Sequence, residues 1–173
     1  MERGLIVGRF QPYHLGHHKG ILRALKHVDE IVIVIGSPMK SFDAERNPFT
    51  CGERIEMISD ALKTSRVFNR CHIVPVPDIQ DNSLWVSRIE SFCPKFNIVY
   101  TNNPLVEKLF HVSGYLTRKV VSKRGNIKSE YIRYWLKNGM GINDAVPKSV
   151  EDYLTKMGAR NRLKCLSEEE EKQ

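Results

Sequence analysis

One segment constrains the fold of this 173-residue chain more than any other: Glu30-Ile31-Val32-Ile33-Val34-Ile35. Five consecutive β-branched residues suit an extended chain and crowd a helix. Because the run is apolar at every position rather than every second one, it predicts a strand buried on both faces. Such strands belong to parallel sheets whose two faces are covered by helices.

The flanking sequence supplies the remaining parts of that sheet. Leu5-Ile6-Val7 reads as a first strand ending at Gly8, followed by helical periodicity from about Leu15 to Val28, with Ile21, Leu22 and Leu25 on one face. After a long polar loop over 36–49, Thr50-Cys51-Gly52-Glu53 has the spacing of a capping box and opens a helix carrying Ile55, Ile58, Ala61 and Leu62. A third strand is predicted over His72–Pro77, a helix over Asn82–Phe92 with Leu84, Trp85 and Ile89 inward, and a fourth strand over Asn97–Thr101. Asn103-Pro104 starts a short helix, with proline in the first turn where its missing N–H costs nothing. A fifth strand is expected over Leu116–Val121, then helices over Ser129–Lys137 and Pro147–Met157, stopped by Gly139 and Gly158. Alternating strands and helices predict an α/β, Rossmann-like, doubly wound parallel sheet with a C-terminal helical portion. In such sheets ligands bind beyond the carboxyl ends of the strands. The chemistry is therefore expected just after Val7, Ile35, Val76 and Tyr100.

Composition narrows the setting. The length suits a single domain, expected over residues 1–166, and supports a core without disulfide or metal staples. The longest apolar run has five residues, far short of the ~20 that a spanning helix needs, and the N-terminus lacks the apolar stretch of a signal peptide. The four cysteines show no C-x-x-C or zinc spacing, which fits reduced cysteines filling small spaces. The expected location is the cytoplasm. The net charge is +7. Residues 167–173 form an acidic tail expected to be disordered; without it 26 basic residues face 16 acidic ones, a body of +10. A basic body favours anionic partners. The basic residues are dispersed rather than set in a stripe with aromatics, so neither a nucleic acid nor a membrane is expected as partner.

The joint after the first strand reads Gly8-Arg9-Phe10-Gln11-Pro12-Tyr13-His14-Leu15-Gly16-His17. It is neither a dinucleotide fingerprint nor a Walker loop. His14 and His17 are three apart and share one face at a helix start. Gly16 allows close approach to the backbone, and the free N–H groups of the helix N-terminus favour an anion. Two imidazoles beside those N–H groups make a phosphate cradle. A zinc site would need a third ligand that this motif lacks.

This joint closely resembles the signature of the nucleotidylyltransferase superfamily, specifically the archaeal type of nicotinamide mononucleotide (NMN) adenylyltransferase. Four further segments carry the resemblance. They are Gly36-Ser37; Glu45-Arg46-Asn47-Pro48-Phe49-Thr50-Cys51-Gly52-Glu53-Arg54; Pro77-Asp78-Ile79 through Asn82-Ser83-Leu84-Trp85; and Asn103-Pro104-Leu105-Val106. The resemblance implies AMP transfer from ATP to the 5′-phosphate of NMN, giving NAD and pyrophosphate. It implies that His14 and His17 contact the ATP phosphates, with Gly8, Arg9, Gly16, Asn102 and Asn103 along the nucleotide. Arg46 and Arg133 would complete the catalytic phosphate contacts. Trp85 would stack on the nicotinamide, with Asn82 at its carboxamide and Asp78 on the ribose or nicotinamide side. Arg54 is left out of the site, since it can pair within its own helix. Mg²⁺ would be carried mainly by ATP oxygens, with no protein metal ligands, and a homo-oligomer is expected.

The chain departs from the family in one stretch. Where the family has Ile-Ser-x-Thr-x-Ile-Arg, this chain has Ile127-Lys128-Ser129-Glu130-Tyr131-Ile132-Arg133. Lys128 and Glu130 occupy the two hydroxyl positions, and Ser129 between them is placed to cap the helix. Two other readings stay open: a related transferase with an FMN- or phosphopantetheine-type acceptor, and a non-catalytic nucleotide-binding module.

Overall fold

The computed structural model describes residues 1–120 and 127–170. Val121, expected to close the fifth strand, and residues 171–173 lie outside the described residues.

The strands are β1 (Arg3–Gly8), β2 (Glu30–Ile35), β3 (Cys71–Pro75), β4 (Ile98–Tyr100) and β5 (Leu116–Arg118). The helices are α1 (Leu15–Ala24), α2 (Cys51–Thr64), α3 (Trp85–Phe92), α4 (Pro104–Val112), α5 (Ser129–Lys137), α6 (Lys148–Lys156) and α7 (Ala159–Glu170). The strands form one sheet in the order β3-β2-β1-β4-β5 with every pairing parallel. This is the expected Rossmann-like α/β architecture. Chain order runs outward from β1 through β2 to β3, then returns to β4 on the other side of β1, so the switch point lies between β1 and β4.

The chain divides into two compact units. The first comprises Met1–Arg9, Lys19–Pro38 and Asn69–Lys123; the second comprises Phe10–His18, Met39–Phe68 and Arg124–Gln173. The first holds the whole sheet. Ile31 to Ile35 are all buried, as their β-branched run requires. On one face Leu5, Val32, Val34 and Val99 pack with Val86 and Ile89 of α3 and Phe110 of α4. On the other, Gly4, Ile31 and Tyr100 crowd so closely that a Cβ on Gly4 would lie within 3 Å of both neighbours.

The second unit holds α2, α5, α6 and α7. The capping box of α2 is formed as predicted: Glu53 N–H donates to Thr50 Oγ1, and Thr50 N–H donates to Glu53 Oε2. The Glu53 carboxylate also takes two 2.7 Å bonds from Arg162, tying α7 to α2.

The structure corrects several local expectations. α1 ends at Ala24 rather than near Val28; the carbonyls of Leu25, Val28 and Asp29 beyond it are capped by the Arg70 guanidinium. Asn82–Leu84 is a 3-10 turn ahead of α3, and its three-residue period leaves Leu84 exposed rather than inward. α7 has no counterpart in the sequence reading, because buried Ala159 and Leu163 stand alone among polar residues. It runs on to Glu170, with Ser167 Oγ bonded to the Leu163 carbonyl, so the start of the supposedly disordered tail is helical.

Candidate active site

The His14–His17 joint folds around its own helix end. His14 is the N-cap of α1. Its Nδ1 accepts the backbone N–H of Gly16 at 3.1 Å and of His17 at 3.3 Å. The His14 N–H in turn donates to His17 Nδ1 at 3.3 Å. The rings stack with centroids 3.6 Å apart. Since a backbone N–H can only donate, both Nδ1 atoms are acceptors. The neutral rings therefore carry their protons on Nε2.

The remaining N–H groups of this helix end are also satisfied. Leu15 donates to the Ala145 carbonyl at 2.8 Å and His18 to the His14 carbonyl at 3.0 Å. The expectation of free backbone donors is thus corrected: the sequence places two histidines where their own imidazoles consume them. What the site offers an anion is the helix dipole and two Nε2–H groups. Gly16 also acquires a second reason. A Cβ there would lie 2.8–2.9 Å from the His14 ring.

The walls of the pair are aromatic. Phe10, buried and left-handed at φ 55°, meets the His17 ring edge to face with centroids 4.7 Å apart, and Tyr13 stacks on it with centroids 5.8 Å apart. Burial holds His14 down at about 4, and burial together with the neighbouring His14 holds His17 well below its ordinary value. Tyr13 is itself held by a buried chain: its hydroxyl meets His18 Nδ1 at 3.0 Å, and His18 Nε2 meets Ser65 Oγ at 2.8 Å.

Arg133 reaches this joint from α5, donating to the Gln11 carbonyl at 2.7 Å and the Glu45 carbonyl at 2.5 Å. The Gln11 side chain bonds both the N–H and the carbonyl of Phe49. Arg46 sits in the tight Asp43–Asn47 turn with its side chain exposed. Ser129 is not the cap of α5: the cap position is Lys128, which makes no side-chain cap bond, while Ser129 Oγ donates to the Pro12 carbonyl. Lys128 and Glu130 pair with each other at 3.3 Å.

The other predicted residues lie at the carboxyl edge of the sheet, within the first unit. Gly8 ends β1, Arg9 follows, and the Gly8 carbonyl accepts the N–H of Gly36. Asp78 accepts bonds from the N–H and Oγ of Ser37. Asn82 is exposed in its 3-10 turn. Trp85 is half-buried, edge-on to Phe110 at 5.5 Å and packed against the core. Asn102 holds Val120 through both its N–H and its carbonyl, and Asn103 caps α4 by accepting from Leu105.

Residues 5–134 match the cytidylyltransferase-like family. The chain belongs to that family. It is 40% identical over 168 residues to the nicotinamide-nucleotide adenylyltransferase of Pyrococcus horikoshii, covering 96% of this chain and 90% of the relative. The enzyme of the same name from Archaeoglobus fulgidus is 40% identical over 173 residues, covering 95% and 97%. A structure of a bifunctional NMN adenylyltransferase/ADP ribose pyrophosphatase from Francisella tularensis, complexed with AMP and a manganese ion, superposes with a TM-score of 0.75 at 19% identity. It covers 95% of this chain, which spans about half the length of that protein.

In this cytidylyltransferase-like chain the sequence reading missed Gln11, Tyr13, His18 and Ser65 as parts of the imidazole site. Gln11 and Tyr13 stand inside the recognised motif, but nothing in their spacing names their partners. Ser65 lies 47 positions from His18 and leaves no signal.

Proposed function

We propose that the protein transfers AMP from ATP to the 5′-phosphate of NMN, giving NAD and pyrophosphate. The observation that carries this reading is the reciprocally capped pair His14 and His17. Two neutral imidazoles, each with its proton forced onto Nε2, are donors suited to oxygens that gain charge in a transferring phosphate.

The step needs no nucleophile in the protein. A phosphate monoester has its second pKa near ~6, so the NMN phosphate is mostly dianionic at neutral pH. One of its oxygens forms a bond to the α-phosphorus, the bond from that phosphorus to the bridging oxygen breaks, and its electron pair leaves on pyrophosphate. The obstacle is the meeting of two anions, so positioning and positive charge supply the catalysis. In this proposal His17 and His14 donate to phosphate oxygens of ATP. Arg133 and Arg46 add charge at the phosphates, and Gly8, Arg9, Gly16, Asn102 and Asn103 line the nucleotide. The Asn102 and Asn103 amides hold backbone in the structure, which gives their proposed part the character of shaping the subsite. Trp85 stacks on nicotinamide, Asn82 meets its carboxamide, and Asp78, which accepts bonds from Ser37, takes the ribose or nicotinamide side.

Among the described residues no group of three His, Cys, Asp or Glu could hold a metal ion. The donor set is N–H groups and cations, which suits Mg²⁺ carried by triphosphate oxygens; when bound it would neutralise charge on the leaving pyrophosphate. The same reading places the protein in the cytoplasm as a homo-oligomer acting on small substrates. No helix among the described residues is long and apolar enough to cross a membrane.

The test is incubation with ATP, Mg²⁺ and NMN, followed by chromatography for NAD and pyrophosphate, with FMN and nicotinic acid mononucleotide as parallel acceptors. NAD and pyrophosphate should form in equal amounts. His17→Ala should lower kcat far more than it changes the KM for NMN. Preferred turnover of FMN would replace the assignment with the related transferase.

A further inference from the structure

A loop arginine brings charge to a phosphate only where its backbone is held within reach. Arg46 is exposed on the Asp43–Asn47 turn, and that turn is shaped from within. Asp43 and Asn47 exchange backbone bonds at 3.3 and 3.1 Å. The Asp43 carboxylate accepts the Arg46 N–H at 2.9 Å and the Asn47 side-chain amide at 3.1 Å. These bonds fold the turn but do not place it.

Placement comes from Gln11, in the joint that leads to His14. Its amide donates to the Phe49 carbonyl at 2.9 Å and accepts the Phe49 N–H at 3.0 Å. A primary amide carries a donor and an acceptor side by side, so it pairs with one backbone residue as a neighbouring strand does. Gln11 is 2% exposed and Phe49 is fully buried, so water does not compete for either bond. The anchor passes stiffly to Arg46: the ring of Pro48 fixes its own φ and restricts Asn47 before it, and both residues are buried. On the other side of Arg46, Arg133 holds the Glu45 carbonyl and also the Gln11 carbonyl. Gln11 thus enters both attachments, by its side chain after Arg46 and by its main chain before it.

We propose that Gln11 is a positioning residue for the adenylyl transfer. Its amide fixes the turn from which Arg46 reaches the phosphates, beside the joint that carries His14 and His17. Buried and engaged by Phe49 at both amide atoms, it touches no substrate, and its effect on the reaction passes through Arg46. The proposal rests on Arg46 being a phosphate ligand, as in the reading of the reaction above.

The test is a double-mutant cycle in the full chain. Gln11→Met keeps the length of the side chain and removes both bonds. Gln11→Glu keeps the acceptor for the Phe49 N–H and loses the donor, and it carries the cycle if the methionine variant does not fold. Either change should lower kcat/KM for ATP by about tenfold and move the KM for NMN by less than about twofold. Arg46→Ala should also lower kcat/KM for ATP, and adding the Gln11 change to it should cost no more than about a further twofold. Full multiplication of the two effects, an equal loss toward both substrates, or unchanged kinetics in a folded Gln11 variant would each overturn the proposal. In the wild-type chain the Phe49 amide should exchange with deuterium as slowly as the amides of β2. Exchange at the rate of an open loop would overturn the proposal without any variant. Failure of the reaction itself reads differently. If the wild type binds ATP but forms no NAD, the same cycle is read in the Kd for ATP by calorimetry, where the Gln11 change should still weaken binding and still add nothing to Arg46→Ala. A wild type that does not bind ATP would overturn both.

Discussion

His14 and His17 cap each other. The Nδ1 of His14 accepts the N–H of His17, and the N–H of His14 donates to Nδ1 of His17, both at 3.3 Å. This is a capping box in which imidazoles stand where a hydroxyl and a carboxylate usually do. A protonated imidazole has no lone pair left on Nδ1, so protonating either ring breaks its half of the box. Hydrogen bonding and burial thus demand the same neutral state.

That agreement sets a pH dependence. Burial holds His14 at about 4, against an ordinary 6.5, and His17 well below its ordinary value. The unfolded chain takes up these protons as pH falls through about 6.5, the folded chain only near 4 and lower. In that window the unfolded state binds more protons, so stability falls with pH. The His14 share is about 3 kcal/mol, present in full above pH ~6.5 and lost by pH ~4. Urea denaturation at pH 7.5, 5.5 and 4.5 measures it. A decline no smaller in His14→Asn would mean that other groups cause it.

The cap and the donor separate by substitution. Asparagine at an N-cap still accepts backbone N–H groups, whereas alanine does not and costs about 1 kcal/mol. Both remove the Nε2–H. His14→Asn should therefore keep wild-type stability within a few tenths of a kcal/mol while kcat falls by about 10²-fold. His14→Ala should lose both. If His14→Asn kept full activity, the ring would be a cap and nothing more.

How much of this was legible in the sequence varies residue by residue. The run at Ile31 to Ile35 announces a buried strand because its chemistry is local and repeated. Thr50 and Glu53 announce their capping box for the same reason. Gly16 was legible as a needed glycine, but its tightest neighbour was not: the clash is with the His14 ring, which only the folded cap brings there. Likewise the free helix N–H groups expected from the dipole argument depend on where Ala145 lies, 130 positions away from Leu15. Pairings of that separation leave no periodic trace.

Trp85 serves two purposes that a mutation series can weigh. It is half-buried on the core, edge-on to Phe110, and it is the residue proposed to stack on nicotinamide. Trp85→Ala should cost about 2–3 kcal/mol of stability through lost packing, and should raise the KM for NMN about tenfold. Trp85→Phe keeps an aromatic face and should recover most of the affinity. An unchanged KM in a folded Trp85→Ala protein would return the residue wholly to the core.

The departure at Lys128 and Glu130 has an electrostatic reading with a definite sign. The two side chains pair at 3.3 Å, each about half exposed, and Lys128 also lies over the Tyr131 ring. An exposed pair of this kind contributes about 0–1 kcal/mol to stability, so stability does not account for it. Its effect on a triphosphate is near zero while both charges stand, because they cancel. Removing one leaves a unit charge facing the nucleotide. At ~10 Å through water that is about 0.4 kcal/mol for each facing charge, or roughly twofold in affinity. With several charges on ATP, Lys128→Ala should raise the KM for ATP severalfold, and Glu130→Ala should lower it by a similar factor. The double change Lys128→Ser with Glu130→Thr should stay near wild type. Both single effects should shrink at 0.5 M salt, where exposed charges are screened. A KM that moves in the same direction for both single variants would show that the segment acts through its backbone at the start of α5 rather than through its charges.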